Sequence, residues 1–446
     1  MPIPASHAHR YIYHFTHVDN LPKILRTGFL CNNHPDFPAE GCLSIAESGI
    51  QARRAKMVVP CGPGGRVHDY VPLYFGARSP MLRAVIKKKN IDQYEVIYFE
   101  FPITLIERDD AVFTDASANT DAPPNFYTDP GDLVKLNWTE IDSRKWGSPI
   151  ETLRHQRMAE VLIHSQLSVQ EAKSVVVWNE GIKKHVQEIV KKAGVPFPPI
   201  ILEDPARRHY FVNFTDAAEK GRSIVTGPRG IASRYIKACQ ETADGINKTQ
   251  SALFENVTNL LRGLRDDFSC LPETAELVGL QSENGIHKET VDVHTLHVVE
   301  QLSSLPEFTS LEPQFQDMVQ LSAFLHDIGK GPKSRWASNG GLQKVDPDHA
   351  VRALPMIVKI LTQHVQQVEQ QTAETLLKLV CYHDLVGEVL GKDRDEQQII
   401  DVAKSKSELD MLFALGKADA TSLVEWWWNE KKAAALYDRC LAGIHA

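Results

Sequence analysis

The sequence predicts an α+β domain followed by an all-α domain, and three observations carry that prediction. The 446-residue chain is longer than one hydrophobic core usually serves. Its first 200 residues hold β-branched and aromatic runs, "VPLYF" (71–75), "YEVIYFEFPI" (94–103) and "SVVVW" (174–178), which read as strands. From about residue 276 helical spacing takes over without convincing strands.

Element by element, "VDNLPKILRTGF" predicts a short helix, with Asp19 or Asn20 as its cap, Pro22 in its first turn and Gly28 at its end. The proline-rich "GVPFPPIILEDP" (194–205) closes the first region. Residues 213–275, with "SALFENVTNLLRGLRDD", read as a helical connector, which gives domains at 1–212 and 276–446. "EWWWNEKK" (425–432) reads as a buried aromatic patch on a helix.

Composition narrows the class. The 43% hydrophobic and 24% charged fractions are ordinary for a globular protein. The start, "MPIPASHAHRYIYHFTH", lacks a charged n-region and an apolar h-region, and no run reaches membrane-spanning length. Seven cysteines without a CxxC pair argue against a disulfide framework or a thiolate zinc site and suit a cytoplasmic protein. Residues 1–200 carry 23 Lys and Arg against 22 Asp and Glu, whereas the remainder carries 26 against 35. That balance excludes a globally basic nucleic-acid binder. A local basic groove remains open in the first half, from "QARRAK", Arg78, Arg83 and "KKK" (87–89).

Chemistry-bearing residues fall into two sets. In the first, His14, Thr16 and His17 lie at a strand end just before the capped helix, where polar side chains and free N–H groups suit an amide or phosphate. Glu160 sits directly against the apolar run Val161–Ile163, with Arg154 and Arg157 beside it. A carboxylate there is either salt-bridged structure or part of a site. The ordered segments "YHFTHVDNLPKILRTGFL", "IQARRAKMVVP", "YVPLYFGARSPML" and "ETLRHQRMAEVLI", with "FTDASAN" and "LNWTEID" between them, resemble the DarT family of DNA ADP-ribosyltransferase toxins over about residues 10–200.

That resemblance implies a split β-core that binds NAD and transfers ADP-ribose to a base of single-stranded DNA, thymidine in preference to guanosine. It implies Glu160 as the catalytic carboxylate and an arginine of "QARR" as its partner, Arg53 or Arg54, with Arg54 preferred. His14 and Thr16 match nicotinamide-side positions, Asn20 and Leu21 the pocket lining, Tyr74 and Phe75 a stacking surface, and Arg78 a phosphate or DNA contact. Arg154, His155 and Arg157 match DNA-facing positions, and the loop 114–132 resembles the substrate-reading loop, with Phe126 and Tyr127 as platforms for extruded bases. A macrodomain antitoxin is the partner such a toxin implies.

The second set is "VHTLHVVEQL", "LSAFLHDIGKG", "DPDHAVRAL", "VCYHDLVGE" and "LGKADATSL", an ordered series of histidines and aspartates in helical surroundings. Imidazole with carboxylate suits a divalent metal ion. The series resembles the HD phosphohydrolase superfamily over about residues 285–425. On that match His294, His326, Asp327 and Asp419 hold one metal, His349 and His383 a second, and Lys330 lies near a phosphate. His297, one turn from His294, is the weaker ligand candidate. The alternative function is an HD-type nucleotide or DNA phosphodiesterase with a nucleic-acid-binding first half.

Overall fold

The computed structural model describes residues 1–37, 48–120, 123–145, 147–203, 209–213, 222–283, 289–423 and 428–445. Residues 425–427 of the tryptophan run and residues 121–122 of the 114–132 loop lie outside that set. The chain divides into two compact units, Met1–Lys87 with Ile91–Val225, and Lys88–Asn90 with Thr226–Ala446.

The first unit is built on an eight-stranded sheet. In chain order its strands are β1 (Tyr11–His17), β2 (Tyr70–Tyr74), β3 (Val96–Pro102), β4 (Ala111–Thr114), β5 (Phe126–Tyr127), β6 (Glu160–His164), β7 (Ser174–Val177) and β8 (Ile200–Leu202). The spatial order is β8-β7-β3-β1-β2-β6-β4-β5, antiparallel throughout except for the β7–β8 pair. Apolar side chains cover both faces, which is why the strand sequences read as continuous apolar runs. Ile12, Leu73, Phe99, Val161 and Ile163 pack on one side, Phe15, Tyr98 and Val176 on the other.

Pairing is uneven across the middle of the sheet. β1 and β3 align over seven residue pairs, from Tyr11↔Pro102 to His17↔Val96, whereas β1 meets β2 only at Tyr13↔Tyr74. Beyond that point the strands splay. The His14 side chain takes up a freed backbone group, with Nδ1 2.9 Å from the Pro72 carbonyl. The helix α1 (Leu21–Thr27) follows β1 with proline in its first turn and ends at Gly28, whose φ of 72° suits glycine. Asn20 precedes it without capping it through its side chain, and its Nδ2 donates to Thr16 Oγ1 (3.0 Å).

His209 forms a buried ionic knot that no sequence motif singles out. Its Nδ1 lies 2.8 Å from Glu203 Oε2 and its Nε2 3.2 Å from Glu100 Oε1, with the rings of Tyr13, Tyr98 and Tyr210 around it. Burial opposes the imidazolium, yet hydrogen bonds to the two carboxylates raise its pKa above the ordinary 6.5. A raised histidine contributes stability that is complete below its unfolded pKa and fades as pH rises through the folded value. Thermal melts of the full chain are therefore expected to lose stability as pH climbs above about 6.5, and His209→Gln to flatten that slope. An unchanged slope in the variant would show that another group sets it.

The second unit is helical. Its core joins α2 (Pro228–Gly245) to later helices through Ile231 and Ala238, together with Leu260, Leu261, Leu264 and Leu271. From Thr226 onward, the segment read from sequence as a connector therefore belongs to this unit and contributes to its hydrophobic core. A short parallel strand pair, Phe254–Asn256 with Val365–Gln367, also occurs here. Three-residue strands are too short to show an alternating pattern.

Candidate functional site

Two constellations emerge, one in each unit. In the first, the register Tyr74↔Glu160 sets the last residue of β2 opposite the first residue of β6. Glu160 is fully buried, and Arg54, at the end of the helix Ser48–Arg54, meets it as a two-pronged fork at 2.8 and 2.9 Å. The Ala118 N–H adds a third donor at 3.0 Å. Burial works against the Arg54 charge, but Glu160 more than offsets it and raises the guanidinium pKa. Burial and the nearby Glu160 keep the Tyr74 phenol protonated, and its hydroxyl donates to Met81 Sδ at 3.1 Å. Arg53 points elsewhere, with Nε donating to the Asn119 carbonyl at 2.9 Å. Of the two arginines left open by the sequence, Arg54 is the one that meets Glu160.

Strand alternation puts Tyr13 and Phe15 on the Tyr74–Glu160 face, with Phe15 stacked on Tyr74 at 5.7 Å. His14 and Thr16 project to the opposite face, along the line where β1 and β2 part. Burial lowers the His14 pKa, so its ring is neutral near pH 7. Leu21 is fully buried core. Phe75 is core too, edge-on to Phe113 and Trp138, so its ring offers no free stacking face of the kind expected. Phe126 and Tyr127 form β5 rather than an unstructured loop, and Tyr127 already stacks on Phe113 at 5.4 Å.

Three arginines gather around the segment 143–148. Arg78 donates to the Arg144 carbonyl at 2.8 Å, Arg157 to that of Ser143 at 2.6 Å, and Arg154 to that of Ser148 at 3.0 Å. Burial first, then neighbouring guanidinium groups, lowers the pKa of Arg78 and of Arg157. None of the three donates to Glu160 in the described hydrogen bonds, which removes the salt-bridge reading of Arg154 and Arg157. His155 lies 3.4 Å from Glu151 at the end of its own helix.

The second constellation collects the histidines and aspartates of five sequence segments. His294 lies on α3 (Val291–Ser304), His326 and Asp327 follow α4 (Pro313–Leu325), and His349 opens α5 (His349–Lys359). His383 and Asp384 follow α6 (Gln370–Tyr382), and Asp419 lies on α7 (Lys406–Leu423). Ligand atoms of His294, His326 and Asp327 lie within 4.8 Å of one another, as do those of Asp327, His349 and His383, and those of His383, Asp384 and Asp419.

Backbone contacts orient the rings. Nδ1 of His326, His349 and His383 lies 2.7–2.9 Å from the carbonyls of Ala323, Asp346 and Val380, each three residues earlier. A proton on Nδ1 leaves every Nε2 lone pair turned inward, the tautomer a metal ligand needs. The Nε2 atoms of His349 and His383 face each other at 3.1 Å, and the buried His326 Nε2 has no hydrogen-bond partner. Despite burial, Asp327 and Asp419 push the His326 pKa up to about 9, so a metal ligated by Nε2 would bind in competition with a proton there. Gly329 fits because a Cβ there would fall 2.0 Å from the His349 carbonyl oxygen.

Lys330 Nζ lies 2.5 Å from Asp327. His297 is half-exposed and pairs with Glu289, outside the cluster. Asp384 went unassigned in the sequence reading, although the "HD" pair in "VCYHDLVGE" was its signal.

Residues 13–211 match the family model described as ssDNA thymidine ADP-ribosyltransferase, DarT. The DNA ADP-ribosyl transferase of Thermus sp. (strain 2.9) is 33% identical over 186 residues, 41% of this chain and 87% of that protein. A solved structure, Thermus sp. 2.9 DarT in complex with ADP-ribosylated ssDNA, matches with 30% identity and a TM-score of 0.40. That match covers 45% of this chain and 96% of the other. A different kind of relative, the bifunctional uridylyltransferase/uridylyl-removing enzyme of Neisseria gonorrhoeae (strain NCCP11945), is 28% identical over 195 residues. It matches 39% of this chain and 21% of its own length. Among the described residues no helix is long and apolar enough to cross a membrane.

Proposed function

Because the chain belongs to the DarT family of DNA ADP-ribosyltransferases, we propose that its first unit transfers ADP-ribose from NAD to a thymidine base of single-stranded DNA. The observation that carries the reading is the buried, bidentate Arg54–Glu160 pair at the head of β6. Breaking the nicotinamide–ribose bond sends the bonding electrons to nicotinamide and leaves an oxocarbenium-like sugar. Glu160 stabilises that charge and accepts the proton displaced when the base nitrogen bonds to the sugar carbon. Arg54 fixes the carboxylate. The splayed line between β1 and β2, edged by His14, Thr16 and Asn20, is the proposed NAD cleft. Arg78, Arg154, His155 and Arg157 are the proposed DNA-facing groups.

Incubating the protein with NAD and a panel of oligonucleotides, then mapping adducts by mass spectrometry, tests the reading. The expected product is a thymidine adduct on single strands. Adducts on guanosine would move the base assignment, and labelling of protein alone would remove the reading. With family membership we also propose a toxin role opposed by a macrodomain antitoxin.

A second reading concerns the helical unit, as an HD-type metal-dependent phosphohydrolase. It is supported by the inward-turned Nε2 atoms and by the buried His326 Nε2, which makes no hydrogen bond and lies 3.3 Å from Asp327 Oδ2. The donor set fits divalent metal: His294, His326, Asp327 and Asp419 would hold one ion, His349 and His383 a second, with Asp384 at hand. A bound metal would supply an activated water and a clamp on a phosphate oxygen. The chain itself sets the imidazole tautomers through backbone carbonyls, and Lys330 places a cation beside Asp327.

A further inference from the structure

Glu160 opens β6, and the paired register with β4 stops one residue short of it, at Phe113↔Val161. A side chain takes over from the ladder at that point. Thr114 Oγ1 accepts the Glu160 N–H at 3.1 Å and donates to the Ala116 carbonyl at 2.7 Å. The second bond turns the chain back on itself. Ser117 N–H then reaches the His155 carbonyl at 2.9 Å, and Ala118 N–H reaches Glu160 Oε1 at 3.0 Å. Thr114 and Ala118 are fully buried, and Ser117 nearly so. One hydroxyl therefore acts on both ends of Glu160, on its backbone directly and on its carboxylate through the turn.

The carboxylate's own bonds say what this achieves. Each oxygen has about two lone-pair sites. Oε1 accepts from Arg54 Nη1 at 2.8 Å, from Ala118 N at 3.0 Å and, more distantly, from Ser117 Oγ at 3.5 Å. Among the described residues Oε2 accepts only from Arg54 Nη2, at 2.9 Å. Oε1 is saturated and Oε2 keeps a free site.

We propose that Thr114 is a positioning residue for the transfer reaction: it fixes the 115–118 turn so that Oε1 is held and Oε2 is the oxygen presented to the reacting atoms. Thr114 touches neither NAD nor DNA in this scheme. The proposal rests on the DNA-transfer reading above.

Full-length wild type, Thr114→Val and Thr114→Ser are compared with NAD and a thymidine-containing single-stranded oligonucleotide, with rates expressed per folded molecule from circular dichroism. Valine keeps the shape and removes the hydroxyl, whereas serine keeps the hydroxyl. Thr114→Val is expected to lower kcat by about 10–100-fold, the scale of a small misplacement of a reacting group, with KM for both substrates little changed. Thr114→Ser is expected to recover most of the loss. Wild-type kcat in Thr114→Val, or no recovery in Thr114→Ser, overturns the positioning role. Should Thr114→Val not fold, Thr114→Ala is judged by the same kcat and KM criteria. A wild type that labels no DNA removes the transfer reading, and the positioning role with it. A labelling wild type beside an unimpaired Thr114→Val removes the positioning role alone.

Discussion

Glu160→Gln is expected to fold like the wild type and to lose DNA labelling by about 10²–10⁴-fold, the usual scale for removing a general base. Glutamine keeps the volume and one acceptor facing Arg54 but cannot take the base proton or balance a developing sugar cation. Alanine is the poorer probe here. Arg54 is 7% exposed and pairs with Glu160 alone among the described carboxylates, so Glu160→Ala strands a buried guanidinium. Removing one partner of such a pair costs about 3–5 kcal/mol. Both variants should therefore melt below the wild type by circular dichroism, Glu160→Gln less so than Glu160→Ala because its amide oxygen still accepts from Arg54 and Ala118. Near-wild-type labelling by folded Glu160→Gln would end the catalytic assignment.

The second large effect is expected in the helical unit. Replacing His326 and Asp327 together with alanine should abolish bound metal, read by elemental analysis of protein purified with divalent cation. Asp327 belongs to two of the three ligand groups, and His326 supplies a buried Nε2 that makes no hydrogen bond and lies 3.3 Å from Asp327. Any phosphoester hydrolysis should disappear with the metal. DNA labelling should persist, because Glu160 and Arg54 belong to the other unit. Undiminished metal in the double variant would place the ions elsewhere.

Where periodicity and spacing are local, the sequence was readable. The long strands at 70–74, 96–102 and 174–177 coincide with its β-branched runs, and "HDIGKG" signals a junction between a helix and a tight turn. Pairings made across the sheet were not readable. Nothing local separates Arg53 from Arg54, since the choice depends on which side of a helix end meets a strand 106 residues later. Phe75 and Tyr127 looked like ligand platforms because an aromatic at a strand end has the same sequence whether it meets a base or Phe113. Thr114 was invisible for a related reason: its hydroxyl matters only where a ladder runs out beside a carboxylate.

The separation of 106 positions between Arg54 and Glu160 also sets a schedule for synthesis. At about 5–20 residues per second, the ribosome delivers the carboxylate roughly 5–20 s after the guanidinium. During that interval β6 is missing, and with it the central strand that joins β2 to β4. A nascent or prematurely ended chain thus carries the arginine without its counterpart. The Arg54–Glu160 pair therefore forms only when most of the first unit has left the ribosome, and a copy that stops before Glu160 lacks it.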